Sequence, residues 1–264
     1  LGIDFVGGAA LTVEFSEKVP VDQIRSALTA AGIQDPSIQY QSILGATADE
    51  GEGETLLIKV PFESGAVASE TLASQFEAQG FNILQQESIG PQIGNELKRK
   101  GILALLWALL GMVVYISWRF EFSYAVAALV ALFHDAVISV GIFALLGRQL
   151  SMPMIAVVLT IVGYSVNDTI VIFDRIRERR RLQRDRNYRA VANESINQTL
   201  SRTVLTTMTT LLSVLALLFF GGGAIYDFAL LLLIGMIVGT YSTIFVATPI
   251  TLLWHREPRG KKST

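Results

Sequence analysis

Apolar positions fall along this chain in two rhythms, and the change comes near residue 100. Before it, apolar residues alternate or recur in short runs. Leu11-Thr-Val-Glu-Phe15 has the period of two that marks a half-buried strand, and Val21 to Ala31 has helical spacing after Pro20. Ser37 to Ile43 and Thr55 to Val60 predict two more strands, joined by the acidic Gly45–Glu54 loop. A second helical stretch, Ala66 to Gln79, precedes a last strand from Phe81 to Ile89. The order β-α-β-β-α-β is that of a split βαβ, or ferredoxin-like, α+β sandwich.

Beyond residue 100 the apolar runs lengthen to 101–118, 122–146, 152–174, 203–220 and 226–253. Each approaches or exceeds the roughly 20 residues a helix needs to cross about 30 Å of hydrocarbon. The pattern predicts a polytopic α-helical membrane protein with five spans. Its expected division is a soluble domain over 1–97, a helix bundle over 98–255 containing a basic loop at 175–194, and a basic tail at 256–264.

Composition agrees and adds orientation. The chain is 264 residues and 51% hydrophobic, high for a soluble globular protein. Its net charge of −2 hides a division: residues 1–97 hold fourteen acids against Lys18, Arg25 and Lys59. The remainder holds nine acids against eighteen Lys and Arg. Eight arginines lie between Arg175 and Arg189, and with Arg119 and the basic tail they fall on one side of the membrane. The positive-inside rule makes that side cytoplasmic and puts residues 1–97 outside; Lys98, Arg99, Lys100 and Arg148 lie on the other side in smaller number. The chain starts at Leu1, without methionine or a signal peptide, as a fragment or half of a fusion would.

The absence of cysteine excludes disulfides and thiolate chemistry. The sequence carries no P-loop, no H-E-x-x-H and no nucleophile constellation, so no cofactor, metal or nucleic acid is implied. Asn193-Glu-Ser195 and Asn197-Gln-Thr199 match glycosylation acceptors only formally, being on the cytoplasmic side. Gly235-Met-Ile-Val-Gly239 has the spacing of a close helix contact.

Chemistry enters with the polar groups inside the apolar runs. Asp168 interrupts the third, and Thr160, Tyr164, Val171 and Arg175 share its stripe, with Asn167 beside it. An ionisable residue inside a span marks a functional hypothesis and requires a partner. Arg202 begins the fourth run, and Ser195, Arg202, Thr206, Thr209 and Ser213 form a stripe about 27 Å long at 1.5 Å per residue. Asp168 lies roughly 22 Å from the outer end of its run and Arg202 roughly 27 Å from that of its own. Burial and a neighbouring arginine act on a carboxylate in opposite senses, which brings a change of charge within reach. Asp168, Arg202, Asn167, Thr206 and Thr209 are therefore the expected proton relay. His134 and Asp135, inside the second run, are weaker candidates: a further relay element or structural glue. The bland alternatives are an Arg202 that snorkels to the interface and an Asp168 that makes a static helix–helix hydrogen bond.

Several longer motifs carry a resemblance. Gly2-Ile-Asp-Phe-Val-Gly-Gly8, His134-Asp135, Ser165-Val-Asn-Asp-Thr-Ile-Val-Ile-Phe-Asp-Arg-Ile-Arg-Glu178, Asn193-Glu-Ser-Ile-Asn-Gln-Thr-Leu-Ser-Arg-Thr203 and the run Gly235 to Pro249 resemble the SecF family. SecF is the partner of SecD in the bacterial protein-export accessory complex, related to proton-driven exporters of the resistance-nodulation-division type. The resemblance implies six spans with an external ferredoxin-like domain after the first, so a first span would be missing here. It implies a bacterial inner-membrane subunit that uses the proton-motive force to draw preproteins outward, after the SecA ATPase and the SecYEG channel have acted. The family's proton-conducting carboxylate and arginine correspond to Asp168 and Arg202, with further carboxylates from SecD, fused or separate. The rival readings are a small-molecule or lipid exporter module of the same superfamily and a passive translocon scaffold without proton flux.

Overall fold

A computed structural model describes residues 2–16, 19–41, 54–221 and 223–255. The basic tail 256–264 and residues 45–53 of the acidic loop lie outside the described residues, as do 42–43 at the end of the second expected strand. The chain forms two compact units. The first comprises Leu1–Leu103, Gln149–Met154 and Ala216–Asp227; the second comprises Ala104–Arg148, Ile155–Leu215 and Phe228–Thr264.

In the first unit a one-turn helix α1 (Ile3–Val6) leads into β1 (Gly8–Phe15), followed by α2 (Val21–Ala30), β2 (Ser37–Gln41), β3 (Glu54–Val60), α3 (Gly65–Gln75) and β4 (Asn82–Ile89). The sheet order is β2-β3-β1-β4, with every neighbouring pair antiparallel. This is the split βαβ arrangement that the sequence predicts. Alternation along β1 sends Leu11, Val13 and Phe15 inward, against Ile24 and Leu28 of α2 and Leu72 of α3. Each such fully buried side chain contributes about 1.5–3 kcal/mol relative to exposure. Phe15 also meets the edge of Phe76, with ring centroids 5.7 Å apart.

The Gly2–Gly8 motif closes the base of this unit. Gly7 has φ +82°, and a Cβ there would lie 2.8 Å from Pro91 Cα, so only glycine fits. Asp4 Oδ2 accepts the Met152 backbone N–H at 2.8 Å, an acidic cap on an incoming helix N-terminus. Lys59 on β3 donates to Gln149 Oε1; burial pushes its ammonium down, while Asp227 and Asp4 oppose that by holding its charge.

Among the described residues, five helices are long and apolar enough to span a membrane: α4 (Pro91–Arg119), α5 (Phe122–Leu145), α6 (Met152–Leu182), α7 (Tyr188–Phe220) and a last span over Ile225–Trp254. The protein is a multi-pass membrane protein. The last span is composite: α8 (Gly223–Ser242), a π-helical turn (Thr243–Ala247) and α9 (Thr248–Trp254). Pro249 lacks the N–H that a continuous helix would bond, and the Thr248 hydroxyl donates to the Thr243 carbonyl at 3.1 Å. Gly147, at φ +74°, ends α5, with Arg148 N–H reaching back to the Phe143 carbonyl.

Two expectations need correction. The basic stretch 175–194 is not a loop: α6 runs to Leu182 and α7 starts at Tyr188, leaving only 183–187 between them. The arginines find partners that favour helix over coil. Arg175 pairs with Glu178 one turn on, and Arg179 and Arg186 both pair with Glu194 at 2.9 Å. Tyr188 is buried at the foot of α7, its hydroxyl donating to Thr251 and lying 3.3 Å from that of Tyr124, and its ring stacked on His255 at 4.2 Å. Likewise α4 begins at Pro91, ahead of the apolar run, because the Glu96–Lys100 pair and the Lys98–Lys100 cluster suit an exposed helical turn.

Candidate functional site in the helix bundle

The second unit places two buried carboxylates on different helices. Asp135, on α5, is fully buried. Its Oδ2 accepts the Ser165 hydroxyl of α6 at 2.6 Å, and its Oδ1 lies 3.1 Å from His134 Nδ1. Ser165 reaches it because α8 presents Gly239 there: a Cβ on Gly239 would sit 3.1 Å from Ser165 Cβ and 3.7 Å from Asp135 Oδ2. The hydroxyls continue along α6. Thr169 donates to the Ser165 carbonyl and lies 3.3 Å from Thr243 Oγ1 on the last span, at the π-turn.

Asp168, also on α6, is 4% exposed. Among the described residues its carboxyl makes no hydrogen bond, and no cation lies within 4.0 Å. The charge that acts on it is the Arg202 guanidinium of α7, through space and without a direct bond. One turn before Asp168, the Tyr164 hydroxyl donates to Thr207 of α7 at 3.1 Å, and Thr207 lies 3.2 Å from Thr240 of α8. A short hydroxyl path thus links α6, α7 and α8 one helical turn from Asp168.

The expected residues divide accordingly. Asp168 is buried, and Arg202 is close enough to act on it. Arg202 does not begin a helix, since a long stretch of α7 from Tyr188 precedes it. Asn167, Thr206 and Thr209 are exposed. Thr206 donates to the Arg202 and Thr203 carbonyls, and Thr209 to those of Leu205 and Thr206, so both hydroxyls are satisfied within their own helix. The buried face of α7 is instead Ser195, Thr199, Thr203, Thr207 and Val214. It is a different stripe from Arg202, Thr206, Thr209 and Ser213. Periodicity had no means of choosing, because hydroxyl residues occur on both faces of α7. The polar groups missed were Ser165, Thr169, Thr207, Thr240 and Thr243. Their signal was a four-residue recurrence, 165 and 169, 203 and 207, that matches a helix face.

Residues 68–257 match the family "Protein export membrane protein SecD/SecF, C-terminal". The chain is 44% identical to protein translocase subunit SecF of Desulfurispirillum indicum, over 99% of this chain and 85% of that protein. The chain belongs to the SecF family of protein translocase subunits. It is also 40% identical to SecDF of Thermus thermophilus, over 99% of this chain but 35% of that longer protein. A crystal structure of that SecDF, described as a translocon-associated membrane protein, superposes with a TM-score of 0.84 at 39% identity. The superposition covers 97% of this chain and 34% of SecDF. As a SecF-family subunit, the chain has its role in protein transport.

Proposed function

We propose that this subunit uses the proton-motive force to promote preprotein translocation and release on the outer face of a bacterial inner membrane, with Asp168 as the group that changes charge. The observation that carries this reading is a buried carboxyl that makes no hydrogen bond among the described residues, with an arginine acting on it through space. A carboxylate so placed costs several kcal/mol to keep ionised unless paired, and a neutral one does not. Gaining or losing a proton therefore changes how strongly Asp168 holds Arg202, and with it the α6–α7 contact. Moving one proton across the membrane supplies about 2.3 kcal/mol per 100 mV, enough to bias a bundle between two arrangements.

Supporting the rest of the reading, Arg202, Thr206, Thr209 and Ser213 make an exposed polar face on a membrane helix. Polar groups at this depth face protein or water, not lipid. The SecDF relatives carry both parts in one chain, so the partner for this face is SecD, fused or separate, contributing further carboxylates. SecYEG, SecA and the preprotein follow as the wider assembly. The basic ends of α6 and α7 face the cytoplasm, and residues 1–97 lie outside.

The test is preprotein export in membrane vesicles, with and without a proton gradient, for Asp168→Asn and Arg202→Met. Both variants should keep SecD and lose the gradient-dependent part. Export that stays gradient-dependent in both would leave the pair as static structure and make the subunit a scaffold.

A further inference from the structure

We propose that a cavity of about 490 Å³ among α4, α6 and α7 is a binding site for a phosphate-bearing headgroup, that of an anionic phospholipid from the basic-side leaflet. The cavity is lined by Arg119, Arg175 and Arg202, with Tyr115, Phe120 and Val171 as its less polar walls. It lies where each helix changes character. α4 ends at Arg119, α6 passes from Ile170-Val-Ile-Phe173 to charged residues, and α7 passes from Arg202 into an apolar run. These are the coordinates of a headgroup layer, with hydrocarbon on one side and water on the other.

Two carboxylates share the cavity, and they have to be counted. Glu178 is paired with Arg175, whose Nε also donates to Gln198 Oε1 at 2.8 Å. Asp174 holds Arg119 by a longer contact of 3.5 Å, with both side chains about half exposed. Arg202 has no carboxylate within 4.0 Å among the described residues. Three guanidiniums against two carboxylates line the concave site, and Asp168, which acts on Arg202 from outside that lining, makes no direct bond that would occupy it. A phosphodiester would take Arg202 directly and compete with Asp174 for Arg119. Guanidinium favours phosphate through paired, parallel N–H donors.

The exposed face of α4, which carries two of the lining residues on another side, identifies the source of the phosphate. Leu103, Leu106, Leu110 and Val114 form an exposed apolar row on α4, which ends at Trp118, 84% exposed, directly before Arg119. An exposed tryptophan closing an apolar row marks an interface belt, which places acyl chains along α4 and a headgroup at the cavity mouth. Basic pockets between spanning helices on the cytoplasmic side take anionic headgroups by the same physics. The cavity shares Arg202 with the proposed proton switch, and its test therefore rests on Arg119 and Arg175, which have no part in that reading.

The test is native mass spectrometry of the full chain together with SecD, titrated with phosphatidylglycerol, phosphatidylethanolamine and phosphatidylcholine. Phosphatidylglycerol should bind with roughly tenfold preference over the other two, and Arg119→Gln should remove most of that preference. Arg175→Gln, a second variant, should do the same, while Arg184→Gln in the 183–187 connection should leave the preference intact. Thermal unfolding of each variant separates lost binding from lost fold. The proposal is overturned if the unaltered protein shows no headgroup preference, or if neither cavity variant weakens it. Displacement of the lipid by millimolar inorganic phosphate would make the cavity a soluble-anion site and overturn the lipid assignment. Phosphatidylglycerol that binds this chain alone but not its complex with SecD would give the cavity to the protein partner and overturn the proposal.

Discussion

Asp135 and Asp168 are both carboxylates buried in the same four-helix region, and they are held in opposite ways. Asp135 has a serine hydroxyl on one oxygen and a histidine nitrogen near the other, both fixed by close packing of α5, α6 and α8. Among the described residues Asp168 makes no hydrogen bond, and Arg202 acts on it through space. A buried polar group that is fully bonded adds rigidity, and one that is not is poised to change partner or charge. Burial and membrane depth would nominate both residues equally. Unmet bonding separates them and gives the changing role to Asp168.

The largest expected effect tests that separation by stability. Asp135→Ala leaves the Ser165 hydroxyl buried without its acceptor, which should cost about 1–3 kcal/mol of bundle stability. Asp168→Asn breaks no hydrogen bond and nearly conserves volume, so it should cost less than about 1 kcal/mol. Thermal unfolding in detergent should therefore lower the midpoint clearly for Asp135→Ala and little for Asp168→Asn. The reverse order would mean that Asp168 is the structural residue, and the comparison above would collapse.

Much of this arrangement was readable in advance. The period of two in Leu11-Thr-Val-Glu-Phe15 and the helical spacing from Val21 set the α+β domain, because each of those faces has one core to meet. The spans were readable for the same reason, with hydrocarbon as the second solvent. What escaped was decided by contacts between distant segments. Arg175, Arg179 and Arg186 read as a basic loop until Glu194 and Gln198 are seen to receive them, turning coil into two extended helices. The inward face of α7 escaped because Thr203, Thr206, Thr207 and Thr209 put a hydroxyl on almost every side, so no period marked the core. Asp168 was found by cost alone: a charge in an apolar run stands out without any knowledge of its neighbours. Ser165 and Thr243 carry no such cost and became visible only through their partners.

Glycine on α8 offers a second way to sharpen the contrast, with a moderate effect. Gly239 faces Ser165 and Asp135, whereas Gly235, one turn away, faces Ile161, whose side chain a new Cβ would strike. Gly239→Ala puts a methyl 3.1 Å from Ser165 Cβ, tight enough to displace the serine by a few tenths of an ångström. Gly239→Val should overpack the site by about 1–3 kcal/mol and weaken the Ser165–Asp135 bond with it. Unfolding should respond, but the gradient dependence of export should persist in whatever protein stays folded. Loss of gradient dependence in a folded Gly239→Ala variant would move Asp135 from the static class into the switching one.

The smallest effect separates the two faces of α7. Thr207 points into the bundle, taking the Tyr164 hydroxyl and meeting Thr240, while Thr206 is exposed and bonded to its own helix. Thr207→Val removes the acceptor for a partly buried tyrosine hydroxyl and should cost about 1 kcal/mol. Thr206→Val loses only a bond back to the backbone, so its effect on unfolding of this chain should be close to zero. Association should show the opposite order. If the Arg202–Thr206–Thr209 face meets SecD, Thr206→Val weakens co-purification with SecD more than Thr207→Val does. Equal effects of the two variants on both measurements would mean that α7 presents one continuous polar surface, and the division between a face that holds the bundle together and a face that meets a partner would have to be abandoned.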